Sequence, residues 1–426
     1  MQEPQEHTSS YYAATHKYGT RYPSLKGERR ADVAVVGGGF TGVSAALHLT
    51  ERGYDVTLLE ANRIAWGASG RNGGQLIDGF VNNDKIEKRF GTSAAEVTRR
   101  MGVECRDIVV ERIERYSIDC DLKFGFFDLA MRESEMNDLR DYVDELQGRD
   151  YPHKLRLISA GELPQFIDSK HYIGGCINYG NGHLHPLNLC AGEARAAAEL
   201  GANIFEQSPV TCIQHGAKPA IETASGRVVA DKLILAGNAY LGRTEPRLYG
   251  MVIPAGSYII GTEPLGESRA SKLLPADMAY CEQTVGLNYF RLTADKRLLF
   301  GGMCNYSGRD PKSITAALRP KMLKIFPQLD GVRIDHEWRG NIAISVNRIP
   351  QFGRIGSNIY YAQGYSGHGV APTHLAGKML ADVVAGESEQ FDLMSKVKHW
   401  RLPGGKWFAN PALALGMLYF RLKELL

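Results

Sequence analysis

Gly37, Gly39 and Gly42 stand in the spacing G-x-G-x-x-G, with an acidic residue, Glu60, about 20 positions further on. This set can hold a dinucleotide. The first glycine permits a tight turn, the second lets backbone approach a pyrophosphate, and the third lets a helix pack closely on a strand. The phosphates would rest on that helix's N-terminus, where unpaired N–H groups and the helix dipole attract negative charge, and Glu60 would accept hydrogen bonds from a ribose diol. A second chemically dense stretch, ANRIAWGASGRNGGQ at 61–75, is too rich in glycine for a helix. It can bring backbone amides and Ser69 close to a flat or charged ligand. A third is GYSGHGV at 364–370, whose His368 carries an imidazole that titrates near neutrality. His183 and His185 alternate along an extended segment without a nearby acidic or cysteine partner, so a metal site is not expected. Neither a Ser-His-Asp order nor a metal-binding helix is present.

These residues need a scaffold. The apolar run 32–36 suits a buried parallel strand, 41–52 a helix ended by Gly53, and 54–59 a second strand with Glu60 at its tip. Helical spacing covers 84–116 and 133–148, with strands around Gly125 at 119–131. A turn at 180–186 leads into a helix at 187–200, then strands at 202–211 and 231–239 resume the first sheet. Further on come a strand at 258–260, a hairpin of 289–293 with 298–302, a helix at 314–326, strands at 332–338 and 358–362, and a helix at 370–385. The tail 411–426 reads as an amphipathic helix docked on its own domain, with a membrane or partner surface as the alternative.

The 426 residues allow two or more domains. Fifty Lys and Arg against 47 Asp and Glu leave a formal charge of +3 with no dense basic block, so nucleic acid is not the expected partner. The first 30 residues are polar and no apolar run is long enough to span a bilayer, so the cytoplasm is expected. Seven scattered cysteines without a C-x-x-C pair read as small apolar core residues in a reducing compartment.

The glycine turn, Glu60, SGRNGGQ at 69–75, the strand ending at Val210, LAGNAY at 235–240 and GYSGHGV at 364–370 together resemble the D-amino acid oxidase superfamily of FAD-dependent amine oxidases. Longer runs, HTSSYYAA at 7–14, NGHLHPLNL at 181–189, YFRLTADKRLLFGG at 289–302 and RIPQFGR at 348–354, resemble its branch acting on γ-glutamylated polyamines. The likeness covers nearly the whole chain. It implies an α/β and α+β fold: a Rossmann-like FAD-binding domain (31–90, 155–245 and 345–400) interleaved with a mixed-sheet substrate domain (91–154 and 246–344). An N-terminal arm (1–30) and the C-terminal tail (401–426) complete it.

Carried over by resemblance, Gly37, Gly39 and Gly42 hold the pyrophosphate with Phe40 and Thr41, while Glu60 and Ala61 meet the adenosine ribose. Arg63, Ser69, Gly70, Gly74 and Gln75 line the flavin side. Val210 meets the adenine region, with Ala236 and Gly237 nearby, and Gly367, His368, Gly369 and Val370 lie at the isoalloxazine edge. Tyr258, Tyr289, Arg291 and Trp66 join His368 as candidates for the catalytic pocket. Sarcosine oxidases of this superfamily tether flavin through a cysteine in the block matching 340–350. This block has none, which implies noncovalent FAD. They also hold a substrate carboxylate with a lysine where this chain has Ala371, so an amine whose charged groups lie far from the reacting carbon fits better. The expected reaction is oxidation of the terminal primary amine of a γ-glutamylputrescine-like substrate to aldehyde and ammonia, with O2 reduced to hydrogen peroxide. A dehydrogenase that passes electrons to quinone and a flavin-binding interaction protein without turnover are the alternatives.

Overall fold

The computed structural model describes residues 5–283, 287–305 and 310–401; the expected tail helix at 411–426 lies outside them. Two sheets carry the fold. The first is centred on β1 (Gly27–Val36), paired in parallel with β2 (Val56–Leu59) on one side and β10 (Gly226–Leu235) on the other. β7 (Asn203–Phe205) extends it beyond β2. β17 (Ile359–Gln363) lies parallel to β10, and β16 (Gln351–Ile355) forms an antiparallel edge. A small hairpin, β8 (Cys212–Gln214) and β9 (Ala220–Glu222), joins through β10. The four residues at the end of β1 and all four of β2 are buried, because parallel strands covered on both faces need continuous apolar runs instead of alternation.

The second sheet runs in the order β15 (Ile334–Ile344), β11 (Ile253–Thr262), β14 (Leu298–Asn305), β13 (Tyr289–Leu292), β12 (Ala279–Glu282), β4 (Lys123–Ala130), β6 (Gly174–His183) and β3 (Gln75–Leu76). β5 (Leu155–Ser159) also pairs with β6. Only β12 and β4 pair in parallel. Residues 155–183, expected within the FAD-binding domain, supply β5 and β6 of the second sheet. Of the glycines that suggested a turn there, Gly182 serves close strand approach, since its Cβ would lie 2.0 Å from the Lys123 carbonyl oxygen, and Gly180 makes room for the His153 side chain.

The short helix α1 (Tyr11–Ala14) belongs to the N-terminal arm. It precedes α2 (Phe40–Glu51), α3 (Asn83–Phe90), α4 (Thr92–Arg115), α5 (Glu133–Gln147), α6 (Pro186–Glu199), α7 (Gly266–Leu273), α8 (Ile314–Ile325), α9 (Val370–Val384) and α10 (Glu389–Ser395). The single helix expected over 84–116 is two, broken at Gly91, which caps both at φ 86°. α2, α6 and α9 share one core with β1 and β2. α9 approaches α2 so closely that a Cβ on Gly377 would come within 2.5 Å of Ser44. One face of the second sheet, through Phe290 and Phe300, packs on Leu318, Met322 and Phe326 in and beside α8. Its other face is left to wall a crevice against the first sheet. Among the described cysteines, five are buried as expected and Cys212 is exposed. Among the described residues, no helix is long and apolar enough to cross a membrane, and no group of three or more potential ligands could hold a metal.

Candidate active site

At the C-terminal end of β1 the chain turns at Gly37, with φ 111°, and enters α2 at Gly39. Each glycine has a separate steric reason. A Cβ on Gly37 would meet the Ala236 carbonyl oxygen at 2.7 Å, one on Gly39 would meet Ser69 Oγ at 2.9 Å, and one on Gly42 would lie 1.9 Å from the Gly37 carbonyl oxygen. α2 begins without a side-chain cap at Gly39 and without an acidic residue in its first turn. Ser69 Oγ accepts from the Phe40 amide at 2.9 Å. The following amides have no intrahelical acceptor by helix geometry, and they face a cleft of about 260 Å³. Glu60 is fixed at the cleft rim, accepting from the amides of Gly38 at 2.6 Å and Asn62 at 2.9 Å, while burial pushes its carboxyl pKa upward. Phe40, Thr41, Ala61, Ser69, Val210, Ala236 and Gly237 are also part of the lining.

A second cavity of about 770 Å³ shares Ala68 with this cleft, and its lining takes up at Ser366, next to the cleft's Tyr365. Its walls are Asn72, Gly73 and Gln75 from the glycine-rich stretch, the turn Gly367–Val370 at the uncapped N-terminus of α9, and the open face of the second sheet. Tyr289 stands on that face. Its ring occupies the space that a Cβ on Gly73 or Gly301 would need, and its hydroxyl lies 3.5 Å from Ser257 Oγ. His368 lies with Nε2 2.9 Å from the Gly79 carbonyl oxygen, so Nε2 carries the proton and donates it there. Ala371 is buried in the core behind the turn.

Cleft and chamber adjoin at Ala68 and at Tyr365–Ser366. The three glycines whose missing Cβ atoms make room, the anion-favouring start of α2, the Glu60 carboxylate at the cleft rim and the wide chamber at the start of α9 fit an extended dinucleotide with a flat ring system.

Several expected site residues serve other purposes. Trp66 lines the dinucleotide cleft, not the chamber; its indole Nε1 donates to the Glu6 carbonyl oxygen at 2.8 Å and the Arg71 guanidinium covers its ring at 4.2 Å. Tyr258 points to the opposite face of the second sheet, where it is buried and its hydroxyl donates to Asp310 at 2.9 Å. Arg291 shares Tyr289's face but is sealed under the glycine-rich loop, donating to the carbonyl oxygens of Gly73 and Leu184, both at 2.9 Å, and to the Tyr12 hydroxyl at 3.1 Å. Arg63 lines neither cavity. It bridges Glu206 and Glu6, and with Arg21 it holds the Glu6 carboxyl near 2, so it pins the N-terminal arm. Gly70 and Gly74 shape the loop without lining it, each placed where a Cβ would strike a carbonyl oxygen, of Ala65 and Leu184 respectively.

The chamber also contains residues that motif reading missed: Ser257, Cys281, Arg348 and, above all, Asp128. Asp128 accepts from Gln283 Nε2 at 2.5 Å, and burial, with Asp78 nearby, pushes its carboxyl up to about 7. A lone carboxylate within the otherwise apolar run FFDLA of β4 was the available signal. His183 and His185 are packing residues. His183 Nε2 meets the Asp277 carbonyl oxygen, and His185 Nδ1 accepts from the Asn188 amide to cap α6. Burial lowers both imidazoles to about 3.

A family model described as FAD dependent oxidoreductase matches residues 32–383. Over 424 residues, covering 98% of this chain and 99% of the relative, the sequence is 44% identical to the γ-glutamylputrescine oxidoreductase of Escherichia coli. It is 40% identical to the probable oxidoreductase OrdL of Haemophilus influenzae, over 98% of this chain and 97% of that one. Among solved structures, glycine oxidase from Geobacillus kaustophilus superposes with a TM-score of 0.71 at 22% identity, covering 87% of this chain and all of that one.

Proposed function

The chain belongs to the FAD-dependent oxidoreductase family, and from that premise we propose that it oxidises the terminal primary amine of a γ-glutamylated polyamine such as γ-glutamylputrescine. The products are an aldehyde and ammonia, with O2 as the acceptor. The carrying observation is the 44% identity along essentially the full length of both chains to the E. coli enzyme of that name. Bound noncovalently in the crevice, FAD would be held by the amides at the start of α2 and by Glu60, and would supply a two-electron oxidation at the carbon beside the amine nitrogen, the two electrons and two protons ending on O2 as hydrogen peroxide.

The chain's own residues have to bind the amine, dry it and let it lose a proton. An alkylammonium with a pKa near 10.4 costs roughly 4–5 kcal/mol to deprotonate at pH 7. Phe126, Ile77, Ile342 and Ile344 make the chamber lining partly apolar, which disfavours the charged form of the amine. Tyr289 offers a hydroxyl to orient the nitrogen. His368, anchored through Nε2 to Gly79, keeps Nδ1 as the ring atom able to take a proton. At α9 the uncapped helix N-terminus stabilises negative charge on the reduced cofactor, an effect of about 0.3–1 kcal/mol when exposed and more when dry. With Ala371 buried, no lysine reaches the chamber from that position to hold a carboxylate beside the reacting carbon.

The test is steady-state turnover over a panel of γ-glutamylputrescine, putrescine, glycine and proline, with peroxide measured against aldehyde. The reading requires γ-glutamylputrescine to have the highest kcat/KM and peroxide to equal aldehyde. Preference for glycine or proline would refute the substrate, and aldehyde without peroxide would refute the acceptor.

A further inference from the structure

The inner chamber opens outward. A vestibule of about 1170 Å³ between α4, the end of α5 and the turn at His368 shares Asp78, Tyr142, Arg348, Ser366 and His368 with it, so the two meet at a throat. A substrate longer than a simple amino acid can therefore extend across the chamber floor from the cofactor toward that throat.

The floor has a defined register. Tyr289 on β13 pairs with Cys281 on β12, and Cys281 pairs with Asp128 on β4. Side chains paired across adjacent strands project to the same face, and all three residues line the chamber. With strands about 4.8 Å apart, the backbones of Asp128 and Tyr289 lie roughly 10 Å apart across the floor, and the Tyr289 ring leans over Gly301 on β14, one strand further from Asp128, so hydroxyl and carboxylate are roughly 15 Å apart. The other carboxylates on this wall are already engaged. Asp78 takes hydrogen bonds from the Tyr151 hydroxyl and from Asn181 Nδ2 at 2.9 Å. Glu282 takes them from the Tyr172 hydroxyl at 2.9 Å and Asn288 Nδ2 at 2.8 Å. Asp128 has one side-chain donor among the described residues, Gln283, and a carboxylate has room for about four.

We propose that Asp128 is a specificity-determining residue that receives the α-ammonium group at the glutamyl end of the substrate while the opposite amine reacts beside Tyr289. The inference rests on the γ-glutamyl-amine reading. In γ-glutamylputrescine the α-nitrogen is separated from the reacting carbon by a chain equal to about three extended residues, roughly 10–11 Å. With a hydrogen bond of about 2.8 Å at each end, this fits the roughly 15 Å between the Tyr289 hydroxyl and Asp128. The same span puts Asp128 out of reach of the reacting amine, so it reads charge at a distance and does not take the proton there.

The experiment compares γ-glutamylputrescine with N-glutarylputrescine, which has the same length and terminal carboxylate but lacks the α-ammonium group, in the FAD-loaded enzyme and in Asp128→Asn and Asp128→Glu. A hydrogen-bonded charge pair predicts that the wild type prefers the ammonium-bearing substrate by roughly 10–100-fold in kcat/KM, through KM. Asp128→Asn should reduce the ratio to within about threefold, with kcat and flavin content kept, and Asp128→Glu should retain part of it. A wild type without the preference overturns the assignment even if Asp128→Asn fails to fold. So does an Asp128→Asn enzyme that keeps the preference, or one whose kcat falls equally on both substrates. A wild type that oxidises neither compound but does oxidise another amine would overturn the γ-glutamyl reading itself, and this inference with it.

Discussion

Gly42→Ala is the sharpest perturbation of the cofactor cradle. Its new Cβ would lie 1.9 Å from the carbonyl oxygen of Gly37, a backbone atom that cannot rotate away. Val35 stands behind, 3.3 Å from the same position. Non-bonded contacts settle well above 3 Å, so α2 must back off from β1 by more than about 1 Å. Overpacking of this kind costs about 1–3 kcal/mol of stability, occasionally more. The first-turn amides of α2 move with the helix and lose their aim at the pyrophosphate. Hydrogen bonds to a charged group are worth about 1.5–3 kcal/mol, so FAD affinity should fall roughly 10–150-fold. Gly53→Ala, just past the other end of α2, is the control. No atom lies within 4 Å of its added Cβ, and only its φ of 83° is strained, at about 1–2 kcal/mol. The assay is FAD titration of the apoprotein by flavin fluorescence quenching, paired with thermal melts of the apoproteins. Gly42→Ala should weaken FAD strongly, and Gly53→Ala should lower Tm without changing Kd. Equal Kd values in the two variants would refute the reasoning that Gly42 seats the helix beneath the phosphates.

Tyr289→Phe should raise KM for the amine, whereas Tyr258→Phe should leave steady-state constants within about twofold, because its hydroxyl bonds Asp310 on the far side of the sheet. Arg291→Met strands the carbonyls of Gly73 and Leu184 and the Tyr12 hydroxyl, at about 3–5 kcal/mol, so Tm should fall by roughly 3–6 °C with FAD lost during gel filtration. For Asp128, near 7, the carboxyl is protonated below that pH and anionic above it. KM for γ-glutamylputrescine should therefore fall between pH 6 and 8 more steeply in the wild type than in Asp128→Asn. The amine's own ionisation affects both enzymes alike. The groups facing Asp128 are Gln283, Asp78, Tyr142, Cys281 and Cys176. Because its folded pKa is raised, the stability linked to this group is fully present below about 4 and lost as pH rises through 7.

The glycine turn and the cleft at the start of α2 were legible because their signals are local. Glycine spacing, a strand before it and a helix after it lie within one unit of chain, and sterics alone assign each glycine its place. The substrate half was not. Tyr258, Tyr289 and Arg291 are equally plausible in a list of aromatic and charged strand residues, and only pairing decides which face each occupies. β11 also shifts register against β14 between Ser257 and Tyr258, so counting parity along the strand is unreliable there. Arg291 has the right face but is covered by a loop and by the N-terminal arm, a contact between distant segments. Trp66 sits in the expected stretch, but the arm's Glu6 turns its indole toward the cleft. Gly182 imitated a turn because close approach between strands asks for the same residue as a bend.

The central claim is that a flavin held without a covalent bond between the two sheets is reduced by the terminal amine of a γ-glutamyl polyamine. Anaerobic mixing of the purified FAD-loaded protein with γ-glutamylputrescine measures this directly. The account predicts full bleaching of the yellow flavin absorbance by one equivalent of substrate, with FAD released intact when the protein is denatured. A flavin that stays yellow with this amine yet bleaches with glycine or proline would contradict it, as would a flavin that remains attached to the denatured chain.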